Sequence, residues 1–225
     1  GLAAIRAAEE VIKQMKIRAS MIWEAKPEDV EFADGVFTRL SNPEDKLTFK
    51  QLAAKNMDTG GPVTCSASDR QGGVGPTFAG NIVDVEVDPE TGKVEVLRVT
   101  AFMDAGTAVH PSYVEGQMQG STVQGIGWAL NEEYFYNPGN SFANSTFLDY
   151  RMPTTLDLPM IDTVIIEKPN PRHPFGLRGV GEIPIVPIVA AVANAVYHAT
   201  GTRMTDLPMS PGNILETKWQ NGSDK

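Results

Sequence analysis

Apolar residues at Leu2, Ile5, Ala8, Ile12 and Met15 recur at near-helical spacing and predict an amphipathic helix over residues 2–23. The stretch KPEDVEFADGVF then predicts an acidic turn and a small hairpin around Asp34-Gly35. Thr48 to Ala54 fits a short helical piece. Residues 56–76, rich in Gly, Ser, Thr and Asp, fit an irregular connection or a loop reaching towards a partner. The clearest strand pair follows. Residues 81–87 (NIVDVEV) alternate apolar and polar, DPETG turns the chain, and residues 93–102 (KVEVLRVTAF) alternate again, so one face of this hairpin is expected to be buried.

A helix is predicted over residues 111–130, with Val114, Met118, Thr122 and Ile126 along one side. Its glycines at 116, 120, 125 and 127 would admit a second backbone or a cofactor. Glu132 to Tyr136 and Asp162 to Glu167 are short strand candidates. In the stretch from Pro174 to Asn194, Gly176, Gly179 and Gly181 are expected to let the backbone take positive φ and come close to a ligand. The same stretch carries a lone carboxylate, Glu182, and runs through Pro184 and Pro187 into a buried helix from Ile188 to Tyr197. The element order is a mixed α+β fold without internal repeats, read as 1–225 in one portion with a subdivision near 1–75 and 76–225.

Composition narrows the function classes. The 225 residues are 41% hydrophobic and 21% charged, which suits a globular protein with a real core. A net charge of −9, from 19 Lys+Arg against 28 Asp+Glu, argues against a nucleic-acid surface, which needs clustered cations. Cys65 is the single cysteine, so an intramolecular disulfide and a Cys-ligated cluster are excluded, and a cytoplasmic setting is expected. No apolar run reaches the roughly 20 residues of a membrane span. The first helix starts at residue 2 without a capping residue, as expected of a chain whose upstream part is missing.

Each chemical candidate has a plain structural alternative. The GVGE turn at 179–182 could be only a glycine turn before a helix, and the glutamines of GQMQG (116–120) and QGIG (124–127) could sit on a helix that packs through small residues. His110, His173 and His198 lack metal-ligand spacing. Cys65 has no nearby histidine, and Ser66, Ser68 and Ser121 lack a nucleophile elbow. Glu132 and Glu133, adjacent on the expected strand, would face opposite ways, which is wrong for a glycosidase pair.

Taken in order, VDVEVDPETGKVEVLRV, MDAGTAVHP, EGQMQGSTVQGIGWALNEE, LDYRMPTTLDLP, GLRGVGEIPIVPIVAAVANAV and LPMSPGNIL resemble the C-terminal part of the molybdopterin-binding subunit of the xanthine dehydrogenase/aldehyde oxidase family of molybdenum hydroxylases. The resemblance covers most of the chain from about residue 75. It implies the fold of the C-terminal half of that cofactor-binding domain. Glu182 matches the family's catalytic base and Gln117, with Gly116 before it, the amide that binds the pterin. Gly179, Val180 and Gly181 match the backbone that lines the cofactor. Ile183 departs from the proline common at that place, with Pro184 following.

The resemblance further implies a molybdenum-pyranopterin cofactor (molybdopterin), in plain or cytosine dinucleotide form, its metal held by the pterin and by no protein ligand. Iron–sulfur clusters and FAD are expected on partner chains, together with an upstream half or companion molybdenum subunit. The implied chemistry is oxidation of an aldehyde or an N-heterocyclic or aromatic substrate with water as oxygen source, by a chain inactive on its own. The rival expectations are a non-catalytic assembly module and an isolated domain that keeps the fold but binds no cofactor.

Overall fold

In a computed structural model that describes residues 1–69, 75–173 and 175–223, the N-terminal helical period is realised as α1 (Leu2–Ile22). Two compact units divide the chain, Gly1–Gly73 and Val74–Lys225.

In the first unit, β1 (Val30–Ala33) and β2 (Val36–Arg39) pair antiparallel around Asp34 and Gly35, both at positive φ (49° and 78°), as a two-residue hairpin turn requires. A third strand, β3 (Asn42–Thr48), pairs with β2 and escaped the sequence pattern because NPEDKLT is polar and carries a proline, features tolerated at a sheet edge. Thr48 then caps α2 (Phe49–Ala54) through a reciprocal capping box with Gln51. Met15, Ala19, Val30, Phe37 and Leu52 form the core. Only the C-terminal half of the α1 stripe joins it, since Ala8 is exposed. The irregular stretch expected over 56–76 opens with a short 3-10 turn at Asn56–Thr59, and its residues 70–74 lie outside the described residues.

The second unit is built on a three-stranded sheet of order β4-β5-β6. β4 (Ala79–Val87) and β5 (Val94–Asp104) form the expected hairpin. β6 (Ile161–Ile166) adds to the other side of β5 in parallel. A bulge leaves Leu97 without a partner between the Asp84↔Arg98 and Val85↔Val96 pairs, so Val96 and then Val99, Ala101 and Met103 all face the core. In β4 the inward positions are Ala79, Asn81, Val83 and Val85, while Ile82 is 60% exposed.

α3 (Pro111–Leu130) carries the connection from β5 towards β6, and α4 (Ile185–Thr200) packs on both α3 and β4. Val114, Met118, Thr122 and Ile126 of α3 are buried together with Ile188, Val192 and Val196 of α4, each at i, i+4 spacing. The helices approach closely because residue 125 is glycine; a Cβ there would run into Ile188. α5 (Pro211–Ser223), a helix too polar to be read from its pattern, contributes Ile214, and Met209 precedes it into the same core. Among the described residues no helix is long and apolar enough to cross a membrane.

The strand expected at Glu132 to Tyr136 does not form. Its backbone groups are taken by the side chain of Asn144, whose Oδ1 accepts from Phe135 N (2.9 Å) and whose Nδ2 donates to Glu133 O (2.6 Å), and only an isolated bridge, Tyr136↔Phe142, remains. The Tyr150 hydroxyl donates to Glu132 Oε2 at 2.7 Å, and this bond to a carboxylate pushes the phenol up to about 12. The neutral phenol is the form favoured by folding. Its stabilisation is therefore complete below the ordinary phenol value near 10 and lost as pH rises through about 12. Spectrophotometric titration is expected to give one late phenolate step near pH 12 that Tyr150→Phe abolishes; an unchanged alkaline curve in the variant would contradict the contact.

Candidate functional site

Beyond β5 the chain is fastened to the glycine-rich loop that leads into α4. Thr107 N donates to Gly176 O at 3.0 Å, Arg178 N donates to Ala105 O at 3.2 Å, and Gly106 bridges Leu177. Gly106 and Gly176 have positive φ (71° and 68°); a Cβ on Gly106 would strike the Gly176 carbonyl, and one on Gly176 would come within 2.7 Å of Thr107 Oγ1. Arg178, 11% exposed, pairs its Nε with Asp104 Oδ2 at 3.1 Å and also donates to the Lys168 and Pro76 carbonyls. Asp104 Oδ1 accepts from Gly106 N (2.9 Å) and Lys168 N (3.1 Å), so one carboxylate ties together the ends of β5 and β6 and the loop.

The GVGE turn sits on this frame. Val180 and Ile183 are half-buried against the core, whereas Gly179, Gly181 and Glu182 are exposed. Contrary to expectation, neither Gly179 nor Gly181 uses positive φ. Nothing lies within 4 Å of where their Cβ atoms would be, so the absent side chains leave the outer face of the turn open. Pro174, which begins the stretch, lies outside the described residues.

Side chains reach the turn through its carbonyls. Ser121 of α3, 7% exposed, donates to Gly181 O at 2.9 Å. Asn81 Nδ2 of β4 donates to Pro184 O at 3.1 Å, and Thr77 Oγ1 to Gly179 O at 3.4 Å. The N–H groups of Gly179, Val180 and Gly181 have no hydrogen-bond partner among the described residues, and neither has the Glu182 carboxylate. The turn is thus held through its carbonyls, and its N–H groups at 179–181 are left without a partner among the described residues.

Gln117 lies four residues before Ser121 on the same face of α3, about 6 Å along the helix axis. It is exposed and unpartnered among the described residues, as is Gln124. No atom stands within 4 Å of the Cβ positions of Gly116 and Gly120. The four glycines of α3 therefore divide. Gly125 and Gly127 are packed against, by Ile188 and by Glu132 and Pro153, while Gly116 and Gly120 border open space beside Gln117. The Ser121–Gly181 bond brings the amide helix and the carboxylate turn together.

The other candidates stay apart. His110 stacks on Tyr113 at 3.9 Å, His173 is partly buried and His198 exposed, and no group of three or more His, Cys, Asp or Glu side chains gathers among the described residues.

A sequence model described as the molybdopterin cofactor-binding domain matches residues 1–159. The chain belongs to the molybdopterin cofactor-binding domain family. Within it, this domain is 31% identical over 229 residues to the gamma subunit of the 6-hydroxypseudooxynicotine dehydrogenase complex of Paenarthrobacter nicotinovorans, spanning 96% of the chain and 28% of that subunit. It is 32% identical over 219 residues to the xanthine dehydrogenase molybdenum-binding subunit of Escherichia coli O157:H7, spanning 95% of the chain and 29% of the relative. The solved quinoline 2-oxidoreductase of Pseudomonas putida 86 superimposes with a TM-score of 0.72 at 30% identity, over 96% of this chain and 29% of that one. The chain thus spans under a third of the length of these relatives.

Three residues that organise the site went unrecognised in the sequence. Ser121 carries no local motif that marks a donor to a distant turn. Arg178 has no acidic neighbour in sequence that would mark its pairing with Asp104. Asn81 did leave a trace, because a polar residue occupies the inward phase of β4 while Ile82 points out.

Proposed function

We propose that this domain supplies one wall of the cofactor and substrate site of a cytoplasmic molybdenum hydroxylase acting on an aldehyde or N-heterocyclic or aromatic substrate. The supporting observation is the Ser121–Gly181 bond, which ties the helix of the unpartnered Gln117 amide to the turn that carries three N–H groups and a carboxylate unpartnered among the described residues. That donor set suits a pterin, a flat heterocycle with amide-like edges and a phosphate, which takes hydrogen bonds from amides and backbone N–H groups. Gly116 and Gln117 would hold it from α3, and Gly179, Val180 and Gly181 from the turn. When bound, the molybdenum cofactor supplies the two-electron oxidation, with water as the source of oxygen.

Glu182 is the general base: it takes the proton from the attacking oxygen as the new carbon–oxygen bond forms. Its carboxylate is exposed in this chain, so the closed pocket that favours such a base must be completed by the cofactor and by an upstream half or companion molybdenum subunit. Iron–sulfur and flavin partners on other chains would take the electrons.

Elemental analysis of the protein purified with its natural partner chains tests the cofactor assignment. About one molybdenum per protomer is expected, as for any stoichiometric cofactor site, with a clear drop in Gln117→Ala. Metal-free protein that still assembles would contradict it and favour a non-catalytic assembly module.

A further inference from the structure

Glu182 is flanked by two side-chain hydrogen bonds from different elements of the fold. Ser121 of α3 holds the carbonyl of the residue before it, Gly181, at 2.9 Å; Asn81 of β4 holds the carbonyl two residues after it, Pro184, at 3.1 Å. We infer that Asn81 and Ser121 are positioning residues that clamp the GVGE turn and fix where the Glu182 carboxylate stands. The inference rests on the assignment of Glu182 as base.

Asn81 departs furthest from what packing alone would select. It occupies an inward position of β4 between Ala79 and Val83, a place that packing alone would fill with an apolar residue. Its Oδ1 is buried with no partner among the described residues, a cost that the single bond from Nδ2 to Pro184 only partly offsets. A strand that places its isoleucine outward and an incompletely satisfied amide inward departs from local optimum where function, not stability, decides the residue. Ser121 is similar. Its hydroxyl is buried on a helix whose neighbouring inward positions are Met118 and Ile126, and its donated proton goes to the turn and not back to its own helix. Because the clamp uses carbonyls, it leaves the N–H groups at 179–181 free to face a ligand.

The clamp makes stability and function move in opposite directions, and a purely structural role does not. In the enzyme assembled with its natural partners, the near-isosteric Asn81→Leu is expected to keep or raise the melting temperature while kcat falls roughly 10- to 100-fold, the size of a displaced catalytic group, with KM changed less than about threefold. Ser121→Ala is expected to behave alike in kcat, and Ser121→Thr, which keeps the hydroxyl, to recover most of the loss. In a Glu182→Gln background both substitutions should have little further effect, because nothing remains to be positioned. Unchanged kcat in both single variants, or the same fold-loss with and without Glu182, would overturn the clamp.

Amide hydrogen exchange separates failure of the clamp from failure of the base assignment. The double variant Asn81→Leu/Ser121→Ala is expected to exchange faster at residues 179–183 while α3 keeps its protection, and unchanged exchange there would overturn the clamp whatever the kinetics. Near-normal turnover of Glu182→Gln would refute the base and leave the exchange result to decide the clamp.

Discussion

Exchanging Glu182 for Gln in the assembled, molybdenum-loaded enzyme is expected to lower turnover by about 10²- to 10⁴-fold, the contribution of a positioned general base. Glutamine matches the size of glutamate and keeps an acceptor oxygen, but it cannot take up a proton at neutral pH. The turn has no reason to move: Gly181 and Pro184 are held by their carbonyls, Val180 and Ile183 pack on the core, and the Glu182 carboxylate contributes no hydrogen bond among the described residues. Melting temperature and metal content are therefore expected to stay at wild-type levels. Near-normal turnover with the cofactor fully loaded would remove Glu182 from the mechanism.

The largest effect on stability is expected from Asp104. Its carboxylate meets Arg178 at 3.1 Å with both side chains almost out of water (13% and 11% exposed), and it also accepts two backbone N–H groups. Asp104→Asn keeps Oδ1 for Gly106 and Lys168 but turns an amide donor towards the Arg178 guanidinium, leaving a largely buried cation opposed by a donor. Breaking a buried pair from one side costs about 3–5 kcal/mol, and the residual exposure here reduces the expectation to roughly 2–4 kcal/mol. Urea denaturation of the domain measures it directly. Because the same carboxylate secures the loop carrying Arg178 to Glu182, molybdenum retention is expected to fall as well. A loss below about 0.5 kcal/mol, the scale of exposed pairs, would mean that the pair is not sequestered as described.

Much of the second unit was legible because its elements follow one clear period each. The hairpin of β4 and β5 repeats every two residues, and α3 and α4 bury Val114, Met118, Thr122 and Ile126 and then Ile188, Val192 and Val196 at helical spacing. Elements stabilised by something other than their own pattern were not legible. β3 is polar because it is an edge, α5 is fixed by Met209 and Ile214 against a core built elsewhere, and the parallel pairing of β6 with β5 is a tertiary choice. At Glu132 to Tyr136 the pattern misled, because the Asn144 side chain satisfies the backbone that a neighbouring strand would have taken.

The site divides in the same way. Glycine spacing and a lone carboxylate drew attention to the turn, and the order of motifs connected it with Gln117. The contacts that assemble it join residues 60 and 103 positions apart, Ser121 with Gly181 and Asn81 with Pro184, and such pairings leave no mark in a local window. Only the inverted phase of Asn81 and Ile82 hinted at them.

In the proposed site the free face of α3 and the GVGE turn together hold the cofactor against the base. A crystal structure of the enzyme assembled with its cofactor tests it most directly. The expected result is the Gln117 amide hydrogen-bonded to the pterin, the N–H groups of residues 179–181 turned towards the cofactor, and the Glu182 carboxylate facing the metal. A cofactor bound elsewhere, with Glu182 in bulk water, would contradict it.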